Sequence, residues 1–447
     1  MAVGGWAHAL DLDQAYRLAQ SNDARVRATR AATDAQRERL PQAESQRLPQ
    51  VSLSGSRSNN DLTRTSQNFL GQPVTVDERY WSYNATLGVR VPLYRPAVTA
   101  GIAVAKAQVA DAEAVLRAEE INLAARVAQA YFEALTAQDN IELVAAQQRA
   151  ATTQADAARK AWQAGTGTRT DVDEIEARLD LLRADEVRAR QQLEYAMAQM
   201  QVLVGPWDGA LAPVDAQRFA VAPLQLATLT QWLELAERNS PELAALRARR
   251  DAAQQEIARA SAGHWPTLDA VVQITRSASE NVTSPSSSYT NRAVGVQLNV
   301  PLYSGGYTSS TVRQAMAELV RAEEQLEAAR RDLHLRIHDQ YRLVIEGSQR
   351  ISALQKALAS AQQVVQSNRQ SWLAGVRTIL DVLDAEVRAL TVERDLRAAR
   401  YQYLLARLRL AVLAGASVDE ELGTVQAMLS TGPRAAATAQ TVTTNPN

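Results

Sequence analysis

The sequence predicts a mainly α protein with a small β portion, a tandem-repeat protomer of long coiled-coil helices plus four strands. Three observations carry that expectation. First, the chain repeats itself: Leu48-Pro49 through Leu203-Val204-Gly205 returns, with drift, as Trp265-Pro266 through Leu413-Ala414-Gly415. Within it Leu18 and Asn22 return as Leu235 and Asn239, Val91-Pro92-Leu93-Tyr94 as Val300-Pro301-Leu302-Tyr303, and Trp162, Gly165 and Asp171 as Trp372, Gly375 and Asp381. Second, residues 97–164 and 307–373 contain no proline and one glycine each, Gly101 and Gly347. At ~1.5 Å per residue the first of these could reach ~100 Å, against the ~11–12 residues of an ordinary globular helix. Third, Trp81, Tyr83, Ala85, Leu87, Val89, Val91 and Leu93 alternate with mostly polar residues, the period of a strand with one apolar face.

Taken in order, residues 1–9 read as an N-terminal remnant or leader, with Ala7-His8-Ala9 resembling a cleavage site. The first repeat spans 10–205: a helix over about 11–46, strands over about 48–58 and 80–94, the long helix, and a returning helix over about 171–204. A linker, 206–225, precedes the second repeat, 226–415, with a helix over about 226–262, strands over about 265–276 and 289–303, the second long helix, and a returning helix over about 381–414. A segment 416–429 follows, and the Thr-, Ala- and Asn-rich tail 430–447 reads as disordered. The polar stretches Asn59–Arg79 and Ser277–Tyr289 read as loops. The second is the shorter, which accounts for the reduced offset between copies there.

The long helices carry small apolar residues at helical spacing, among them Leu123, Val127, Ala130, Ala134, Ala137, Ile141 and Ala145. Alanine seams let helices approach closely, which suits a wall of rods better than a globular core. Each rod stops at a glycine (Gly165, Gly375), a residue suited to ending a helix.

Composition narrows the function. Forty-eight basic residues against 49 acidic ones argue against a non-specific nucleic-acid binder. The absence of cysteine excludes disulfides, thiolate metal sites and cysteine nucleophiles. No apolar run approaches the ~20 residues of a spanning helix, so a bilayer could be crossed only by strands. Aromatic residues near the strand ends (Tyr80, Trp81, Tyr94, Trp265, Tyr289, Tyr303) fit interfacial girdles. Four strands cannot close a barrel, and backbone groups in lipid cannot stay unpaired. The membrane reading therefore requires oligomerisation; three copies would supply twelve strands. An antiparallel sheet in a soluble coiled-coil assembly scaffold is the alternative.

The paired Val-Pro-Leu-Tyr tetrads, Ser304-Gly305-Gly306, the segment Ala374-Gly375-Val376-Arg377-Thr378-Ile379-Leu380-Asp381-Val382-Leu383-Asp384-Ala385, and Arg400-Tyr401-Gln402-Tyr403-Leu404 together resemble the TolC family of outer-membrane export channels. The resemblance runs from about Ala9 to Val425 and is nearest to members serving type I protein secretion, some of which also serve drug efflux. It implies a homotrimer in the outer membrane of a Gram-negative bacterium. A 12-stranded barrel would continue as a 12-helix tunnel through the periplasm, with an equatorial collar from about 205–225 and 415–430. It implies no enzyme activity and no cofactor. The partners it implies are a periplasmic adaptor (membrane fusion protein), an inner-membrane ABC or RND transporter and outer-membrane lipid.

By the same resemblance Asp381 and Asp384 match paired aspartate rings at the periplasmic mouth, where a trimer would place six carboxylates that favour cations. Read from the residues alone, Thr378 and Asp381 have capping-box spacing, and Asp384 simply favours a helix N-terminus. Asp171 and Glu174 are the first-repeat equivalents, of lower rank for this role. Asp171, Thr170, Arg377, Trp372 and Arg400 match gate links; arginine's planar fork suits such a link. Tryptophan at 372, where the family has a tyrosine, has one donor and no acceptor, so this part of the lock must differ. Arg169 could add a link. Gly165, Thr166, Gly375 and Val376 match tips that meet the adaptor. His334 and His338 stand four apart on a helix, but His-Leu-Arg-Ile-His lacks the glutamate of a zinc-protease motif, and no metal site is expected.

Overall fold

The computed structural model describes residues 9–207, 210–281 and 284–429. Residues 1–8 of the expected remnant and the tail at 430–447 lie outside the described residues. The elements run α1 (Leu12–Asn22), α2 (Ala24–Arg37), α3 (Arg39–Ser45), β1 (Gln50–Gln67), β2 (Pro73–Tyr94), α4 (Pro96–Gln163), α5 (Arg169–Val204), α6 (Leu229–Asn239), α7 (Pro241–Ser261), β3 (Thr267–Asn281), β4 (Ser284–Asn299), α8 (Tyr307–Leu373), α9 (Ile379–Ala414) and α10 (Val418–Gln426). The chain divides into two compact units that cut across the repeats: Met1–Ala31, Ala114–Ala244 and Ala328–Asn447 form one, Ala32–Glu113 and Ala245–Glu327 the other.

The second unit holds the sheet. Its strands pair antiparallel in the order β1-β2-β3-β4, so β1 and β4 are both open edges. The register explains the alternation in the sequence, because partners directly across a ladder share a face. Val51, Val89, Val272 and Val294 form one row, with Val91, Ala270 and Val296 next to it on the same face and Leu53, Leu87 and Ile274, ending on Arg292 of the edge strand, beyond. The intervening rows are polar or small: Ser54, Thr86, Thr275 and Asn291, then Ser52, Gly88, Gln273 and Ala293. One face is greasy, the other wettable.

The strands do not stop where apolar residues do. β1 and β2 stay paired out to Gln67 and Pro73, while β2 pairs with β3 only as far as Ser82 and Ser279. The stretch expected as a loop is thus a projecting two-stranded ribbon with a polar surface. Cross-strand bonds hold it: Thr63 Oγ1 to Asp77 (2.6 Å), Thr65 to Thr75 (2.9 Å) and Arg79 to Asp61 (2.9 Å). Most of the second expected loop is likewise strand. At the other end the first Val-Pro-Leu-Tyr tetrad lies inside β2, with an irregularity in register between Pro92 and Tyr94. The second lies beyond β4, which ends at Asn299. Proline has no N–H for a ladder, and β4 is an edge, so nothing holds Val300–Tyr303 in the sheet.

The first unit is helical, and its core gathers Leu12, Tyr16, Leu123, Val127, Tyr131, Phe132, Met200, Leu211, Phe219, Tyr403, Leu404 and Leu408. The 206–225 segment belongs to it. The Tyr131 hydroxyl meets the carbonyls of Leu10 (3.0 Å) and Ala212 (2.6 Å), and Leu10 bridges Leu211. Arg407 is fully buried against Glu421 of α10 (2.6 Å) and also donates to the Ala222 carbonyl (2.6 Å). A buried pair is tolerated because the further acceptors satisfy the guanidinium.

The repeat landmarks have a shared job. Asp23 starts α2 by accepting from the Val26 N–H (2.8 Å), as Ser240 starts α7 by accepting from Leu243 (3.5 Å), which breaks each expected single helix at the same place, the first of them breaking again before α3. The Asn22 amide donates to the Leu203 carbonyl, and Gly205 lies against that side chain. In the second copy a Cβ on Gly415 would fall 2.4 Å from the Asn239 carbonyl oxygen, and its φ is +63°, so only glycine fits.

Candidate gate at the helical tips

Both rods end identically. The Gly165 N–H donates to the Trp162 carbonyl and the Thr166 N–H to Ala161; Gly375 donates to Trp372 and Val376 to Ser371. This is the Schellman pattern, closed by a left-handed glycine at φ +75° and +73°. Capping boxes then start the return helices: Thr168 with Asp171 for α5, Thr378 with Asp381 for α9. Each tryptophan sits in the last turn before its glycine, half exposed.

The tips diverge in their charged side chains. In the first, the Arg169 guanidinium stands 5.6 Å over the Trp162 ring, a cation–π contact within its own turn. In the second, Arg377, Asp381 and Asp384 line a cavity of about 300 Å³ together with Asn368, Arg388 and Ala385. The Asp381 carboxylate accepts from the Thr378 N–H (2.9 Å) and hydroxyl (2.8 Å), and the backbone bond foremost holds its pKa below the usual value. Asp171 is lowered in the same way by Thr168. The Asn368 amide ties α8 to α9 through the Asp381 carbonyl (3.0 Å). Asp384 instead accepts from Gln154 Nε2 of α4 (3.1 Å), so the two repeats are linked at this level.

The structure thus brings together Arg377, Asp381 and Asp384. Within the chain the Asp171 carboxylate is engaged by its own cap, while Thr170 and Glu174 lie on the first turns of α5. Arg400 stands apart. It is 21 residues into α9, ~32 Å from the start of that helix at ~1.5 Å per residue. There it is buried, 4.9 Å over the Phe219 ring, and burial pulls its pKa down. It is a buried core residue rather than a tip residue. His334 pairs with Glu237 (2.8 Å), and among the described residues no cluster of ligands suits a metal.

Sequence reasoning missed Gln154 and Arg388. The signal for Gln154 was a lone amide on a buried alanine seam with Ala150, Ala151 and Ala155. It also missed a second α4–α9 junction, where Arg397 meets Asp139 (3.0 Å), Glu142 (3.0 Å) and Glu393, and Tyr401 donates to Asp139 (2.9 Å). Burial raises the pKa values of Asp139 and Glu142, with Arg397 opposing.

An open-edged antiparallel sheet with one apolar face and a duplicated set of helical hairpins are together the architecture of outer-membrane channel protomers. The chain belongs to the outer membrane efflux protein family, whose model matches residues 15–206 and 232–416. It is 32% identical over 442 residues to the proteases secretion protein PrtF of Dickeya chrysanthemi, covering 96% of this chain and 93% of that one. It is 33% identical over 430 residues to the alkaline protease secretion protein AprF of Pseudomonas aeruginosa (95% and 89%) and 30% identical over 427 residues to the outer membrane protein TolC of Vibrio cholerae (95% and 94%). The fold matches the Campylobacter jejuni CmeC outer membrane channel with a TM-score of 0.76 at 13% identity, over 94% of this chain and 90% of that one. The protein is an outer-membrane exit duct for protein secretion, drug efflux or both in a Gram-negative bacterium, as the sequence resemblance implied. The soluble-scaffold alternative is left without support. Among the described residues no helix is long and apolar enough to cross a membrane.

Proposed function

We propose that three copies close β4 of one protomer onto β1 of the next, giving a twelve-stranded barrel continued by twelve helical rods, and that this passive duct serves type I protein secretion. The open edges carry the reading. A sheet with an apolar face and two unpaired edges of 18 and 16 residues has no stable place in lipid until those edges are paired. The rods have edges too. Contacts order them α5-α4-α9-α8, through Gln148–Glu186, Gln154–Asp384 and Asn368–Asp381. The outer two, α5 and α8, leave Leu181, Val187, Tyr195, Val202, Leu335 and Val364 exposed for a neighbouring protomer. In-plane repetition of one heterologous contact closes a ring.

Protein secretion is favoured over drug efflux because the protease-secretion relatives PrtF and AprF match almost end to end. A periplasmic adaptor would grip Gly165, Thr166, Gly375 and Val376, and an inner-membrane transporter would supply the energy. Arg377 and Asp171 would link neighbouring protomers at the closed tips, with Thr170 and Trp372 beside them. Asp381 and Asp384 would ring the mouth. The duct catalyses nothing.

Planar-bilayer recording of the purified protein tests this. The expected result is a small, cation-preferring conductance; silence under every insertion condition would sink it. Leu87→Arg, on the apolar face, should cost ~2–4 kcal/mol at mid-bilayer depth and abolish insertion, whereas Thr86→Arg, on the polar face, should insert.

A further inference from the structure

Where β2 hands over to α4, the second unit contains a cavity of about 630 Å³ that no part of the export reading uses. Its wall combines Leu93, Tyr94, Arg95 and Thr99 with Arg47, which follows α3. The two arginines differ. Arg95 is spent: its Nε donates to Asp269 Oδ1 (2.8 Å) and its Nη2 to Oδ2, a bidentate grip on a buried carboxylate. Among the described residues the Arg47 guanidinium meets only the Thr99 hydroxyl, at 3.4 Å, and no carboxylate, on an exposed side chain. Leu93 and Tyr94 are 55% and 46% exposed, at the foot of the apolar rows that begin with Leu268 and Leu298. Trp265, also exposed, precedes β3 at the same end of the sheet.

A cation, two hydroxyls and an apolar wall at the edge of a greasy band are the elements that recognise a phosphate tethered to acyl chains. Exposed tyrosine and tryptophan mark such a level as the membrane–water interface. We propose that this cavity binds one anionic glycerophospholipid per protomer, its phosphate on Arg47 and the Thr99 hydroxyl, its glycerol against Tyr94, and an acyl chain along Leu93. The inference rests on the barrel reading. The two fail separately, since loss of the barrel removes conductance, whereas loss of this site leaves conductance intact and removes only the lipid.

The test uses the intact detergent-purified particle. Native mass spectrometry counts retained phosphatidylglycerol for wild type, Arg47→Glu and Arg47→Lys, and thermal unfolding is followed with added phosphatidylglycerol, phosphatidylcholine or inorganic phosphate. Wild type should retain about one lipid per chain; Arg47→Glu should weaken binding at least ~10-fold, and Arg47→Lys should restore most of it. Bilayer conductance of Arg47→Glu should equal wild type, which shows that the variant folds. Undiminished retention in Arg47→Glu overturns the site. Equal stabilisation by inorganic phosphate makes the ligand a free anion, and equal binding of phosphatidylcholine removes the anionic preference; either result overturns the proposal as stated.

Discussion

The two helical tips are copies of one another in backbone and opposites in side-chain economy. Both stop on a left-handed glycine and restart on a Thr–Asp capping box. The first then satisfies its arginine internally, stacking Arg169 on Trp162. The second leaves Arg377 beside two carboxylates in a cavity, and extends Asp384 to Gln154 of the other repeat. Duplication has kept the turn and divided the labour. One tip closes its arginine within its own turn, and the other leaves its charged side chains lining a cavity.

The largest effect should come from removing the carboxylates that distinguish the second tip. Asp381→Ala with Asp384→Ala should cut the cation preference about tenfold, read as a shift in reversal potential across a salt gradient. The matching pair Asp171→Ala and Glu174→Ala should shift it far less; equal shifts would erase the contrast between tips.

Conductance sharpens it next. Arg377→Ser should raise single-channel conductance several-fold, because a ring of links breaks together. Arg169→Ser should leave conductance near wild type, since its partner is its own turn. A rise in both would place Arg169 in the lock.

The backbone should show no contrast. Gly165→Ala and Gly375→Ala each force a side chain into left-handed backbone, costing about 1 kcal/mol by the same mechanism. Thermal unfolding should therefore fall by similar amounts in the two variants, and a difference of several-fold would mean the turns are held differently.

The smallest effect is in pH. Both cap carboxylates have folded pKa values below their unfolded ones. Their contribution is present above the unfolded value, about pH 4, and is lost as pH falls through the folded values. Hydrogen exchange at the first turns of α5 and α9 should accelerate together below about pH 4, relative to a mid-helix control. Protection unchanged down to the folded values would contradict the cap assignment.

How much of this was legible in the sequence depends on whether the cause was local. Rod lengths, the tips and the apolar strand face follow from glycine, proline and periodicity, and they match the structure closely. Ribbon ends did not, because Asn59–Gln67 and Pro73–Arg79 are strand by virtue of pairing with each other rather than by apolar alternation. Asp381, Asp384 and Arg377 were legible as a motif. Gln154 was not, since the contact that gives it meaning spans two repeats. The resemblance groups Arg400 with the gate links, yet its contact with Phe219 holds it in the helical core. A charged residue beside aromatics 21 residues from the turn was the available warning.

A gate at the tips requires that separate protomers complete one another. The direct measurement is the mass of the detergent-solubilised particle, with bound detergent subtracted. Three times the 48.7 kDa chain is the predicted result. A stable particle of a single chain, with both sheet edges unpaired, would contradict the account.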